Sequence, residues 1–84
     1  METLMDFQST CENIITSLRP ARLEGWLNEE GLRTYEAIYK LSELAEFHDD
    51  FKSFAEDEDV KEVFKQFNDC RKIRSAEAFL KKQI

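Results

Sequence analysis

Two glycines and one proline in 84 residues leave this chain very few places to turn. Sheet proteins need turn residues at every strand connection, so their scarcity points to a few helices joined by short links. The length allows one domain, 1–84, and a chain this short buries only roughly 60–65% of its unfolded surface. Hydrophobic residues make up 42% of it and aromatics 12%, with seven Phe, two Tyr and Trp26. That supplies a core without disulfide or metal staples and leaves aromatics over for an interface. The expected fold is all-α, a compact bundle of four or five short helices.

Periodicity places the elements. Leu4, Phe7, Cys11, Ile14 and Leu18, with Ile15 beside them, recur at spacings of three and four and share one helical face. Arg19-Pro20 is expected to end this helix, because proline disfavours helix in the residue before it and is well suited to open the next. The second helix then runs from Pro20 to Glu30, with Leu23, Trp26 and Leu27 on one side and Gly31 as its C-terminal cap. A longer helix is expected from Arg33 or Thr34, with Leu41, Leu44, His48, Phe51 and Ala55 inward. Glu43, Glu46, Asp50 and Asp57 fall on its opposite side. Asp59 and Glu62 read as the start of a fourth helix carrying Val60, Val63, Phe64 and Phe67. After a break at Asn68-Asp69, a last helix over about 71–83 turns Ile73, Ala76, Phe79 and Leu80 inward.

Charge is segregated along the chain. The formal net charge is −6, and residues 43–62 hold nine acids against two lysines while residues 63–84 hold six cations against two acids. An acidic protein lacks the basic footprint of direct nucleic-acid binding and is repelled by anionic membranes. It suits a partner protein with a basic surface. Arg71, Arg74 and Lys82 share one face of the last helix and are expected to pair with the chain's own acids or favour its C-terminus.

Chemistry is sparsely provided for. His48 is the only histidine, so a Ser-His-Asp or Cys-His arrangement would have to use it. Within an apolar stripe it reads as a partly buried structural residue, and Asp49 and Asp50 point away from its ring on a helix. No His or Cys pair has zinc spacing. Counted as a calcium loop from Asp57, the sixth position is Glu62 where glycine is needed and the twelfth is Asn68 where glutamate is needed. No catalytic, cofactor-binding or metal-binding set is expected, and the protein is read as a non-enzyme. Cys11 and Cys70 form no C-x-x-C pair, and neither a secretory leader nor an apolar run long enough to span a membrane is evident. Reduced cysteines in a cytoplasmic protein are the expectation.

Two features remain as candidate partner-binding sites: the acids Glu43, Glu46, Asp50 and Asp57, and the aromatics Trp26, Tyr35 and Tyr39. The simpler reading of the aromatics puts Trp26 in the core and the tyrosines at its boundary. The expected function is a small regulator or inhibitor, monomer or weak homodimer, docking on a partner protein, with a basic nucleic-acid-binding groove as one candidate surface. In size, acidity and aromatic content the chain is similar in type to phage-encoded proteins that block host or defence machinery. Trp26-Leu27 followed by Gly31-Leu32, Tyr35 and Tyr39 also resembles the opening of a sterile alpha motif domain. That family's later Gly-Ile step and glycine-led basic helix have no counterpart beyond Arg71-Lys72-Ile73. The resemblance implies a five-helix, self-associating interaction module, and a structural or adaptor subunit is the alternative function.

Overall fold

Thr3 opens the first helix with a reciprocal cap. Its hydroxyl accepts the Asp6 N–H at 3.2 Å while the Asp6 carboxylate accepts the Thr3 N–H at 2.9 Å. A computed structural model describes residues 2–84, and among these it contains five α-helices and no strand. They are α1 (Leu4–Glu24), α2 (Glu29–Ala45), α3 (Phe51–Glu56), α4 (Glu58–Gln66) and α5 (Arg71–Lys82).

Helix α1 does not stop before Pro20 but carries it inside and ends at Gly25. Pro20 can give no hydrogen bond to the Thr16 carbonyl, yet the helix continues because its face stays packed on α2, with Arg22 over the Tyr35 ring at 5.8 Å. Gly25 takes the left-handed conformation, φ 74°, and closes the helix. Its N–H reaches the Arg22 carbonyl and the Trp26 N–H reaches the Ala21 carbonyl at 2.9 Å. The expected helix over 20–30 is therefore absent. Asn28 caps α2 by accepting the Gly31 N–H at 2.8 Å, so Gly31 lies in the first turn of α2 and caps no C-terminus.

The expected long helix is two helices. Helix α2 ends at Ala45, residues 46–50 turn, and Asp50 caps α3 by accepting the Ser53 N–H at 2.8 Å. Asp57, not Asp59, caps α4, accepting the Asp59 N–H at 2.8 Å. The break after α4 falls over 67–70, as the loss of phase at Asn68-Asp69 suggests, and α5 opens on Cys70 without a side-chain cap.

Helices α1 and α2 form the most extensive pair in the bundle; α4 and α5 pack against α2 and on one another, and α3 packs against α4 and α5. One buried cluster draws on all five helices. Its aromatic centre is Phe7, whose ring lies 6.4 Å from Phe51, 5.6 Å from Phe54 and 6.1 Å from Phe79. Such pairs add about 0.5–1.5 kcal/mol each beyond burial. Outside the core, Arg33 braces the start of α2 against the α4–α5 link. Its guanidinium donates to both Asp69 oxygens at 3.1 and 2.9 Å and to the Gln66 carbonyl at 2.8 Å. That hydrogen-bonded contact holds the Asp69 carboxyl below its ordinary range. The molecule measures 37 × 22 × 19 Å, and the 21-residue α1, about 31 Å at 1.5 Å per residue, accounts for the long axis.

Candidate docking surface

The outer flank of α1 presents Glu12, Thr16 and Arg19 at spacings of four and three. The neighbouring flank of α2 presents Tyr39 and Glu43, with Glu46 following at the same spacing as the C-cap of the helix, so each triplet lies on one side. Because α1 and α2 lie side by side, the two flanks enclose a groove of about 330 Å³ that also takes in Ser42. Thr16 and Arg19 continue from it into a hollow at the α1 tip, bordered by Pro20, Leu23 and Trp26. On the other side Glu43 borders a groove toward α4, where Asp59 and Glu62 stand with one cation, Lys40. Shared rim residues make the three depressions one belt, apolar at the tip and acidic toward α4.

The belt brings together two sets that sequence separates. Glu43 and Glu46 are exposed in it. Trp26 is not core, as the simpler reading had it: it is 75% exposed beside Leu23, 79% exposed, because the link Gly25–Asn28 carries it beyond the packed part of the bundle. Tyr35 lies at the core boundary as expected, but Tyr39 is 44% exposed, and the two rings stack 6.3 Å apart. Glu12, Leu23, Asp59 and Glu62 line the belt but are not among the candidate partner-binding residues that the sequence offers. For α1 the signal was there in the spacing of Glu12, Thr16, Arg19 and Leu23 at four, three and four.

Asp50 and Asp57 do not join Glu43 and Glu46 on one helix face. Each is spent on a helix N-terminus, because a carboxylate one residue before a helix satisfies N–H groups that nothing else can reach. Of the two roles expected of the C-terminal cations, Lys82, with Lys81, does lie in the last turn of α5, where it favours the helix C-terminus. Among the described residues no cation of α5 makes an ion pair, and Arg74 donates to the Asn68 carbonyl at 2.9 Å.

His48 is partly buried, as expected, but in the α2–α3 turn and not on a helix. Its Nε2 lies 2.7 Å from Asp57 Oδ2 and its Nδ1 lies 3.0 Å from Ser53 Oγ. An ionised carboxylate only accepts, so Nε2 carries a proton and donates to Asp57, while Nδ1 faces the Ser53 hydroxyl. The hydrogen bond from His48, with that from the Asp59 N–H, holds the Asp57 carboxyl below the ordinary aspartate range. The connectivity is that of a nucleophile, base and acid, but a reacting carbonyl needs a cleft beside the hydroxyl. The main grooves between the helices are lined by other residues and do not border Ser53, His48 or Asp57. The three side chains clasp the ends of α3 and α4 to the preceding turn.

Both cysteines are free and buried, and burial, with Glu12 adjacent, pushes the Cys11 thiol up to about 12. Among the described residues no three potential metal ligands converge, and no helix is long and apolar enough to cross a membrane. Compared with known proteins, the chain matches no family model, no curated protein and no solved structure.

Proposed function

We propose that this protein is a binding regulator that docks on the basic surface of a partner protein through the α1–α2–α4 belt. The observation that carries the reading is the continuity of that belt, with exposed Trp26 and Leu23 leading into Tyr39, Glu12, Glu43 and Glu46. Aromatic anchors supply buried area in an interface, while an acidic field accelerates encounter with a cationic surface. A basic nucleic-acid-binding groove is the partner surface such a belt fits best, because carboxylates spaced along helices can stand in for phosphates. The role is that of small inhibitors, including phage-encoded anti-defence proteins, that occupy such grooves.

The test is capture from cell extract at low and high salt, with wild-type protein and Glu43→Lys/Glu46→Lys as bait. A partner retained by the wild type at low salt, released at high salt and lost from the variant supports the reading. A partner held equally by both baits would exclude the belt as its docking site.

A further inference from the structure

The opposite side of α1 carries a depression of different chemistry. Helices α1 and α5 each lean on α2 without packing extensively on one another, which leaves a trough of about 590 Å³ between them. Its floor is Ile38 and Cys11, 2% and 3% exposed. One wall is Phe7 and Ile14 of α1, and the other is Ala76 and Phe79 of α5. Phe7 and Ile14 are seven residues apart, about 10 Å along the axis, or two helical turns. Arg71 and Lys72 stand on the rim, and among the described residues neither side chain makes an ion pair or hydrogen bond. Thr10 and Ser75 add hydroxyls, and Glu2 is the single acid on the rim.

We propose that this trough receives an acidic amphipathic helix from a partner protein. Two turns of apolar wall match anchors at positions i, i+3 or i+4, and i+7 of a helix laid between α1 and α5. Acids flanking that stripe meet Arg71 and Lys72, the two cations on the rim that the chain's own carboxylates leave unpaired. A small amphiphile fits less well. Ligand pockets cover about 70–90% of a small molecule, whereas this trough is open along one side. The belt takes a basic surface and the trough an acidic helix, so the two faces of α1 would let this protein bridge two partners of opposite charge.

The experiment titrates the ¹⁵N-labelled full chain with a synthetic helix of about 15 residues bearing Leu at i, i+3, i+4 and i+7 and Glu on both flanks. The control peptide replaces every Glu by Lys. Amide shifts should concentrate at Thr10, Ile14, Ser75 and Phe79 with the Glu peptide and not arise there with the Lys peptide. Reversing the rim cations, Arg71→Glu with Lys72→Glu, should weaken binding roughly tenfold or more, since both are exposed and the fold does not depend on them. Ser75→Trp, which fills the trough and leaves its charges intact, should abolish the shifts. Equal binding of the Lys peptide, or shifts centred on Leu23 and Trp26, would overturn the proposal. So would no response to the Glu peptide, or the same shifts produced more tightly by dodecanoate.

Discussion

His48 uses both ring nitrogens within one turn of chain, and the carboxylate it meets lies nine positions further on. Asp57 caps α4 with one oxygen and accepts the imidazole with the other, so its charge is useful in the folded state twice over. Its folded carboxyl titrates below the ordinary value, about 3.9 in an unstructured chain. The unfolded chain therefore takes up the proton first as pH falls. The stability due to Asp57 is complete above that ordinary value and is lost as pH drops through the depressed one. Asp57→Ala should cost about 1 kcal/mol at neutral pH through the lost cap. Asp57→Asn keeps the capping oxygen but replaces the one that accepts from His48 by an NH2, so it also loses that charge-assisted contact, and it removes the titrating group. Urea unfolding across the acid range checks this: the Asn variant should show a flatter acid limb, and a limb as steep as wild type would assign the acid sensitivity elsewhere. The sequence marks His48 as structural, but helical geometry applied to residues 49 and 50 cannot identify Asp57, which reaches the ring only because the chain turns.

At the scale of the element, two residues set where α1 ends, and the sequence points to the wrong one. Proline in a helix interior costs about 3 kcal/mol, which is why Arg19-Pro20 reads as a boundary. The α1–α2 contact outweighs that cost, and the termination signal that acts is Gly25. Pro20→Ala restores a hydrogen bond to Thr16 and gives up about 1 kcal/mol of restriction on the unfolded chain. The net expectation is a gain of about 1–2 kcal/mol, several degrees in Tm by calorimetry. Gly25→Ala meets no atom within 4 Å and pays only for its φ of 74°, so it should lose about 1 kcal/mol. A Pro20→Ala protein no more stable than wild type would show that the proline is already accommodated without strain. Helices α4 and α5 are legible from their stripes, since Val60, Val63, Phe64, Phe67, Ile73 and Leu80 are all buried. The α2–α3 break is not, because Leu44, His48 and Phe51 keep helical spacing across a turn. The aspartates that signal it, Asp50 and Asp57, read equally well as members of a charged face.

At the scale of the whole molecule, folding separates charge in space as well as in sequence: carboxylates of α1, α2 and α4 gather on one side and unpaired cations of α5 line another. The exposed tip at Leu23 and Trp26 is small and bordered by one charge of each sign, Arg19 and Glu24. Sedimentation should therefore find a monomer or a weak dimer. A stable oligomer dispersed by Trp26→Ser would favour the self-associating subunit over the regulator. Once a partner is in hand, kinetics can separate the two halves of the belt. Reversing Glu12, Glu43 and Glu46 to Lys should leave the fold intact, each change costing about half a kcal/mol or less because all three are exposed. Association should slow by about tenfold or more at low salt, and the difference should shrink as salt screens the field. Trp26→Ser should act mainly on dissociation, since an aromatic anchor works after encounter and interface losses fall mostly on the off-rate. Reversing Glu2, Asp49 and Glu56, exposed acids outside the belt, supplies the control for net charge. If the control set slows association as much as the belt set, the molecule's overall charge and not the belt steers encounter. If neither set matters and Trp26→Ser alone abolishes binding, the interface contracts to the aromatic tip.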